Sequence, residues 1–174
     1  MSERGASTRP RRLTLVRHAK SDWSDTSLTD FDRPLNARGE RDAPDMARRL
    51  VEAGLRPTLM ISSPAARALA TARVFAKAFG HSEKRIRLAE AAYLATPGEL
   101  LEVVRRSGGR ATHVMLFGHN PGISGFAAWL AGDDSLGEVP TCAVASLRVP
   151  VAKWSELEFG KAERDFYDFP KSRR

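Results

Sequence analysis

Four residues of the 174-residue chain have the right type and setting for chemistry: Arg17, His18, Arg67 and His119. Arg17 and His18 close the apolar part of LTLVRHAKSDW, where a β-rich run stops at a cation and an imidazole. Arg67 lies in ISSPAARALATA, about one turn inside an expected helix. His119 lies in FGHNPG, beside the start of another. Guanidinium groups offer fixed forks of donors to tetrahedral oxyanions. Unpaired amides at a helix start add partial positive charge. Imidazole is a competent nucleophile near neutral pH, because its ordinary pKa is about 6.5. Together these groups would form a phosphate-type anion pocket with a nucleophile inside. Taken singly, each has a plainer reading: a surface ion pair for an Arg, a hydrogen-bonded structural residue for a His.

Convergence depends on the elements that carry them. Leu13–Val16 reads as a first strand, and Ser24–Leu35, containing DFDRPL, as a polar loop. Ala43, Met46, Ala47, Leu50 and Val51 repeat at helical spacing. Pro44 suits only a first turn or a kink, which puts that helix start near Arg41–Asp45. Thr58–Ile61 is a second strand, followed by a helix capped by Ser63 with Pro64 at its first position. Arg85–Leu88 is a short strand, Pro97–Arg106 a helix, and His113–Phe117 a buried strand. A helix from Pro121 to Leu130 would take Asn120 as its cap. Ala143–Val149 and Trp154–Phe159 read as late strands, an antiparallel pair at one edge.

Alternating strands and helices predict an α/β fold: a three-layer α/β/α sandwich with a mostly parallel central sheet and a small antiparallel edge. In such sheets, ligands gather past the carboxyl ends of the strands. Arg17, His18, Arg67 and His119 all fall at that edge.

Composition narrows the function classes. The length suits one domain, residues 13–170, between a basic tail at 1–12 expected to be disordered and another at 171–174. The net charge of +7 comes mostly from those tails, so no specific nucleic-acid surface is expected. The one cysteine, Cys142, excludes an internal disulfide and favours a reducing compartment. No apolar run is long enough to span a bilayer and no signal-peptide pattern is present, so cytoplasmic residence is expected. No metal motif occurs, and the Arg neighbours would repel a cation. The phosphate-binding glycine motifs of nucleotide sites are missing too, so no metal and no cofactor are expected.

The ordered series LTLVRHAKSDW, RPLNARG, ISSPAARALATA and FGHNPG resembles the histidine phosphatase superfamily, phosphoglycerate mutase-like in fold. The small SixA-type branch, described as phosphohistidine phosphatases, is the nearest match, over roughly Leu13 to Leu130. The resemblance implies that His18 attacks phosphorus in line and becomes a transient phosphohistidine, which water then hydrolyses. Arg17, Arg67 and His119 would clamp the phosphoryl oxygens. Larger relatives use a Glu shortly after the third strand as general acid, and Glu90 is the corresponding candidate. Lys20, Ser21 and Asn120 are candidates for substrate contact at the pocket mouth. The pattern departs from its relatives at Ala19, often Gly there, at Ser24, where mutase-like members carry Asn, and at Asn120, often Gly.

The segment Leu88–Glu99 is too short for a folded lid, which implies an open, shallow site. Such a site would admit a phosphorylated side chain on another protein, with phosphohistidine the leading substrate. Small phosphorylated metabolites, handled by a broad phosphomonoesterase, are the alternative. A non-catalytic phosphate-binding module is the alternative of another class, though binding alone would not require His18.

Overall fold

The computed structural model describes residues 9–173. Positions 1–8 of the expected N-terminal tail, and Arg174, lie outside the described residues. Six strands form one sheet: β1 Arg11–Arg17, β2 Leu59–Ser62, β3 Arg87–Leu88, β4 His113–Gly118, β5 Val144–Val149 and β6 Glu163–Asp168. Their order is β3-β2-β4-β1-β5-β6. The first four run parallel, β5 is antiparallel to β1, and β6 is antiparallel to β5.

Strand side chains alternate between faces. Leu13, Leu15, Val114 and Leu116 join one core with Leu100 and Val104 of α3 (Pro97–Ser107) and Phe126 and Leu130 of α4 (Gly122–Ala131). Val16, Met115 and Phe117 join the other with Met46 and Leu50 of α1 (Ala37–Glu52) and Phe75 of α2 (Ala66–Ala78). Burial on both faces explains why β1 and β4 read as nearly unbroken apolar runs. The fold is the expected α/β sandwich.

Several boundaries differ from the sequence reading. β1 starts at Arg11, so Arg11 and Arg12 of the expected tail belong to the sheet. Arg12 is anchored there by Asp165 of β6 at 2.6 Å. At the other end, Pro170–Arg173 form a 3-10 turn, with Arg173 at 3.6 Å from Asp168. Helix α1 starts at Ala37, ahead of the expected region, because Asn36 accepts the Gly39 amide and caps it, with Pro44 tolerated inside the helix. The last strand is Glu163–Asp168, not Trp154–Phe159. Trp154 instead plugs one end of the core from a 3-10 turn, its indole N–H donating to the Ala111 carbonyl at 2.7 Å. It lies over Gly108, where a Cβ would sit 2.4 Å from its ring.

Candidate active site

Three adjacent strands end side by side: β2 at Ser62, β4 at Gly118 and β1 at Arg17. The ladder continues one step beyond them. The His18 amide donates to Gly118 O at 3.0 Å, and the Ser63 amide to Phe117 O at 3.0 Å. The Cys142 amide is shared between the carbonyls of Arg17 and His18, at 3.1 Å each. On the far side, the Ala19 amide donates to Thr71 Oγ1 of α2 at 3.0 Å. The backbone carrying His18 is therefore held from every neighbouring element.

RPLNARG contributes to the same support. The Asn36 amide donates to the Lys20 carbonyl at 3.0 Å. A Cβ on Gly39 would meet that carbonyl oxygen at 2.2 Å, so only glycine lets α1 approach the loop behind His18. Gly39→Ala is expected to lower stability by about 1–3 kcal/mol through overpacking, about 2–12 °C in melting temperature. An unchanged melting curve would mean that the Lys20 segment yields freely.

The expected residues do converge. Arg17, His18, Arg67 and His119 line a cleft of about 210 Å³ together with Lys20, Ser21 and Asn120. His18 Nδ1 lies 2.7 Å from the Ala19 carbonyl, which can only accept, so Nδ1 carries the proton. The other ring nitrogen, Nε2, keeps its lone pair and faces Arg67 Nε at 3.4 Å. The rings of His18 and His119 are 5.2 Å apart. Burial pushes the His18 pKa down to about 4. The bond to Ala19 opposes that shift, while the Arg67, Arg17 and Arg33 cations add to it. His119 is pushed down to about 3, by burial first and then by His18 and Arg67. Both imidazoles are neutral at pH 7.

Among the described residues, two buried polar atoms of the cleft lining have no hydrogen-bond partner, Arg17 Nε and His119 Nδ1. Buried donors left unpaired are uncommon in a finished core and cost about 1–3 kcal/mol each. An oxyanion among these side chains would satisfy them. Among the described residues, no group of three or more His, Cys, Asp or Glu side chains gathers as a metal site.

Not every candidate is in place. Glu90 opens a 3-10 turn at Glu90–Ala92, is exposed, and lines a separate groove beside α3. Ala92 fills the inward position of that turn, and it is Tyr93 that reaches the site, with its ring 5.4 Å from His119. Ser21 uses its hydroxyl to accept from Arg33 at 2.8 Å. Asn120 is tied to structure as well: its amide donates to Val139 O at 2.9 Å and its carbonyl accepts from Ser124. It braces α4, whose N-cap is Pro121. Ser63 is not a helix cap, since Ala65 holds that position. Its hydroxyl lies 2.7 Å from His119 Nε2.

Other site residues went unrecognised in the sequence: Ser63 as a partner of His119, Thr71 behind Ala19, Arg33 in the cleft wall, and Asp30 with Tyr93 beside Arg67. Arg33 also stacks over Trp23, 3.4 Å above its ring.

A parallel-rich sheet with a cationic, two-histidine cleft at its carboxyl edge defines a phosphoryl-handling enzyme. The chain matches the histidine phosphatase superfamily (branch 1) over residues 13–120, and it belongs to that superfamily. It is similar to an uncharacterized chloroplastic protein of Arabidopsis thaliana, 34% identical, with 84% of this chain and 70% of that one covered. An uncharacterized protein of Mycobacterium tuberculosis is also 34% identical, over 84% of this chain and 94% of its own. A solved structure from Agrobacterium tumefaciens, assigned as a phosphohistidine phosphatase SixA, superposes with a TM-score of 0.77 at 29% identity. It covers 92% of this chain and 99% of its own. Another structure so assigned, from Nakamurella multipartitia, gives 0.76 at 25% identity, over 93% and 97% of the two chains. Within the superfamily the chain is a phosphatase of the SixA type.

Proposed function

We propose that the enzyme hydrolyses N-phosphorylated substrates, phosphohistidine on protein first among them, through a covalent phosphohistidine at His18. The observation that carries this is the orientation of His18. Its Nδ1–H is committed to Ala19 O, and its lone-pair nitrogen faces the Arg67 guanidinium. A phosphoryl group gripped by Arg67, Arg17 and His119 places phosphorus in front of Nε2. The N–P bond forms as the bond to the leaving group breaks, and the leaving group departs with the electron pair. Water then attacks phosphorus, the N–P bond to His18 breaks, and inorganic phosphate leaves. With Ser63 donating to His119 Nε2, the His119 Nδ1–H becomes a donor to a phosphoryl oxygen. The cations balance charge on the equatorial oxygens as the group transfers.

Leaving-group chemistry favours N–P substrates. Among the described residues, no Asp or Glu lines the cleft. Glu90 lies elsewhere, and the adjacent Asp30 is ionised: burial would raise its pKa, but Tyr93, Arg33 and Arg67 hold it far below the ordinary range. An alkoxide lacks a carboxylic acid to protonate it, a form of help worth about 10²–10⁴-fold. A protonated imidazole leaves as a neutral ring and needs no such donor.

The test is a leaving-group series at fixed pH: a phosphohistidine-bearing protein, aryl phosphates of graded acidity, and an alkyl phosphate. The N-phosphorylated substrate should exceed the alkyl phosphate by at least about 10²-fold in kcat/KM, with rates in the aryl series rising with leaving-group acidity. Glu90→Gln should stay within about twofold of wild type on all of them. Equal rates across the series, or a Glu90→Gln loss confined to the alkyl ester, would contradict the proposal.

A further inference from the structure

Asp30 is exposed in the polar DFDRPL loop, its side chain 42% accessible, yet it makes more bonds to the site than any cleft residue makes to another. Its backbone carbonyl accepts from one terminal nitrogen of Arg67 at 2.7 Å. Its Oδ2 accepts from the other terminal nitrogen at 3.0 Å and from the Tyr93 hydroxyl at 2.5 Å. Its Oδ1 accepts from Arg33 at 2.8 and 3.3 Å. One residue therefore bridges a guanidinium from α2 to a guanidinium from the loop before α1, and a phenol from the loop before α3.

We infer that Asp30 is a positioning residue for phosphoryl transfer, gripping Arg67 end-on so that its Nε edge faces His18. Both terminal nitrogens of Arg67 are occupied by this single residue, which fixes the guanidinium plane as well as its position. Its remaining edge faces His18 and the cleft, with the Tyr93 hydroxyl alongside. The carboxylate also holds apart two cations that would otherwise repel each other at close range. Tyr93 extends the brace, because the ring whose hydroxyl donates to Asp30 packs edge-on against His119, at 5.4 Å and 83°. Phe31, next along the loop, packs against the same Tyr93 ring at 5.2 Å. The Asp30–Tyr93 pair thus joins two anion-binding side chains from different elements, Arg67 of α2 and His119 just past β4. Asp30 touches no reacting atom, and its effect passes through Arg67.

The inference rests on His18-centred transfer, and the test separates the two. Asp30→Asn keeps the shape but turns one carboxylate oxygen into a donor facing guanidinium or phenol. Asp32→Asn, in the same 3-10 turn with its carboxylate accepting from the Thr29 hydroxyl, is the control. Wild type and both variants are assayed for aryl phosphate turnover, for inhibition by orthovanadate and by inorganic phosphate, and for melting temperature. Vanadate resembles the transition state and phosphate the ground state. Asp30→Asn should lose about 10²-fold in kcat, the scale of a misoriented catalytic group. Its vanadate affinity should fall at least tenfold further than its phosphate affinity, while Asp32→Asn matches wild type. Tyr93→Phe should show the same asymmetry, reduced in size. Equal losses for vanadate and phosphate, or turnover equal to wild type, would overturn the role of Asp30 while leaving His18 catalysis standing. A wild-type protein inert to every phosphorylated substrate would overturn the functional reading instead.

Discussion

His18→Ala is expected to lower turnover of every substrate by at least about 10⁴-fold, because removing a nucleophile removes the covalent route itself. The loss should appear in kcat, with little change in the affinity for inorganic phosphate, since Arg17, Arg67 and His119 all remain. Stability should barely move. Among the described residues, the His18 ring hydrogen-bonds to its neighbour Ala19 and to Arg67, and it packs at the cleft rather than in either core. Burial of the ring agrees with the same assignment. The ordinary pKa is about 6.5, and this one lies at about 4. The imidazole takes up a proton only as pH falls through that lower value, so the lone pair is available across the neutral range. Steady-state kinetics alongside a phosphate-binding titration checks the split between rate and affinity. A variant that keeps a tenth of the wild-type kcat would remove His18 from the chemistry.

Arg67→Ala is expected to cost about 10²–10³-fold in kcat, the scale measured for loss of one oxyanion donor. That corresponds to about 2.7–4 kcal/mol of transition-state stabilisation. The effect on folding should be much smaller, because Asp30 is half exposed and keeps Arg33 and Tyr93 as partners. Arg67 itself is buried, but the carboxylate it leaves behind is solvated and still paired, so the lost ion pair costs about 1 kcal/mol or less. Arg67→Lys should recover less than a tenth of the lost rate. One ammonium cannot meet the Asp30 carbonyl, the Asp30 carboxylate and the region before His18 Nε2 at once, as the planar fork does. Kinetics and thermal melts on both variants check this. Full activity in the lysine variant would reduce Arg67 to a point charge.

The sheet and the cationic edge were legible in the sequence for one reason. Strands buried on both faces read as apolar runs, and a polar residue at the end of such a run stands out. LTLV ending in Arg17-His18 and HVMLF ending in Gly118-His119 are of this kind. β6 was not legible, because ERDFYD is an edge strand whose outer face is charged, so no apolar alternation marks it. Trp154–Phe159 has aromatic ends of the kind that suit a strand, but Trp154 is a core plug on a 3-10 turn.

The site was only half legible, and the missing half follows a pattern. Ser63, Thr71, Asp30 and Tyr93 act through contacts made across the fold, 56 residues apart for Ser63 and His119 and 63 for Tyr93 and Asp30. Nothing local distinguishes Ser63 before Pro64 from a helix cap. Asp30 did leave a trace, as an acid three residues before the Arg of RPLNARG in a loop otherwise lacking structure signals. Glu90 is the acid that the resemblance implies, a Glu shortly after the third strand. The 3-10 turn there rotates position 90 outward and brings Tyr93 inward.

The most direct measurement is capture of the phosphoenzyme. Wild-type protein mixed with a phosphorylated substrate is quenched within milliseconds into mild alkali, where a phosphoramidate survives, then digested and mapped by mass spectrometry. Phosphate is expected on the peptide carrying His18 and absent in His18→Ala. Turnover with phosphate mapped to His119, His113 or His81, or with no protein-bound phosphate at any quench time, would contradict nucleophilic catalysis by His18.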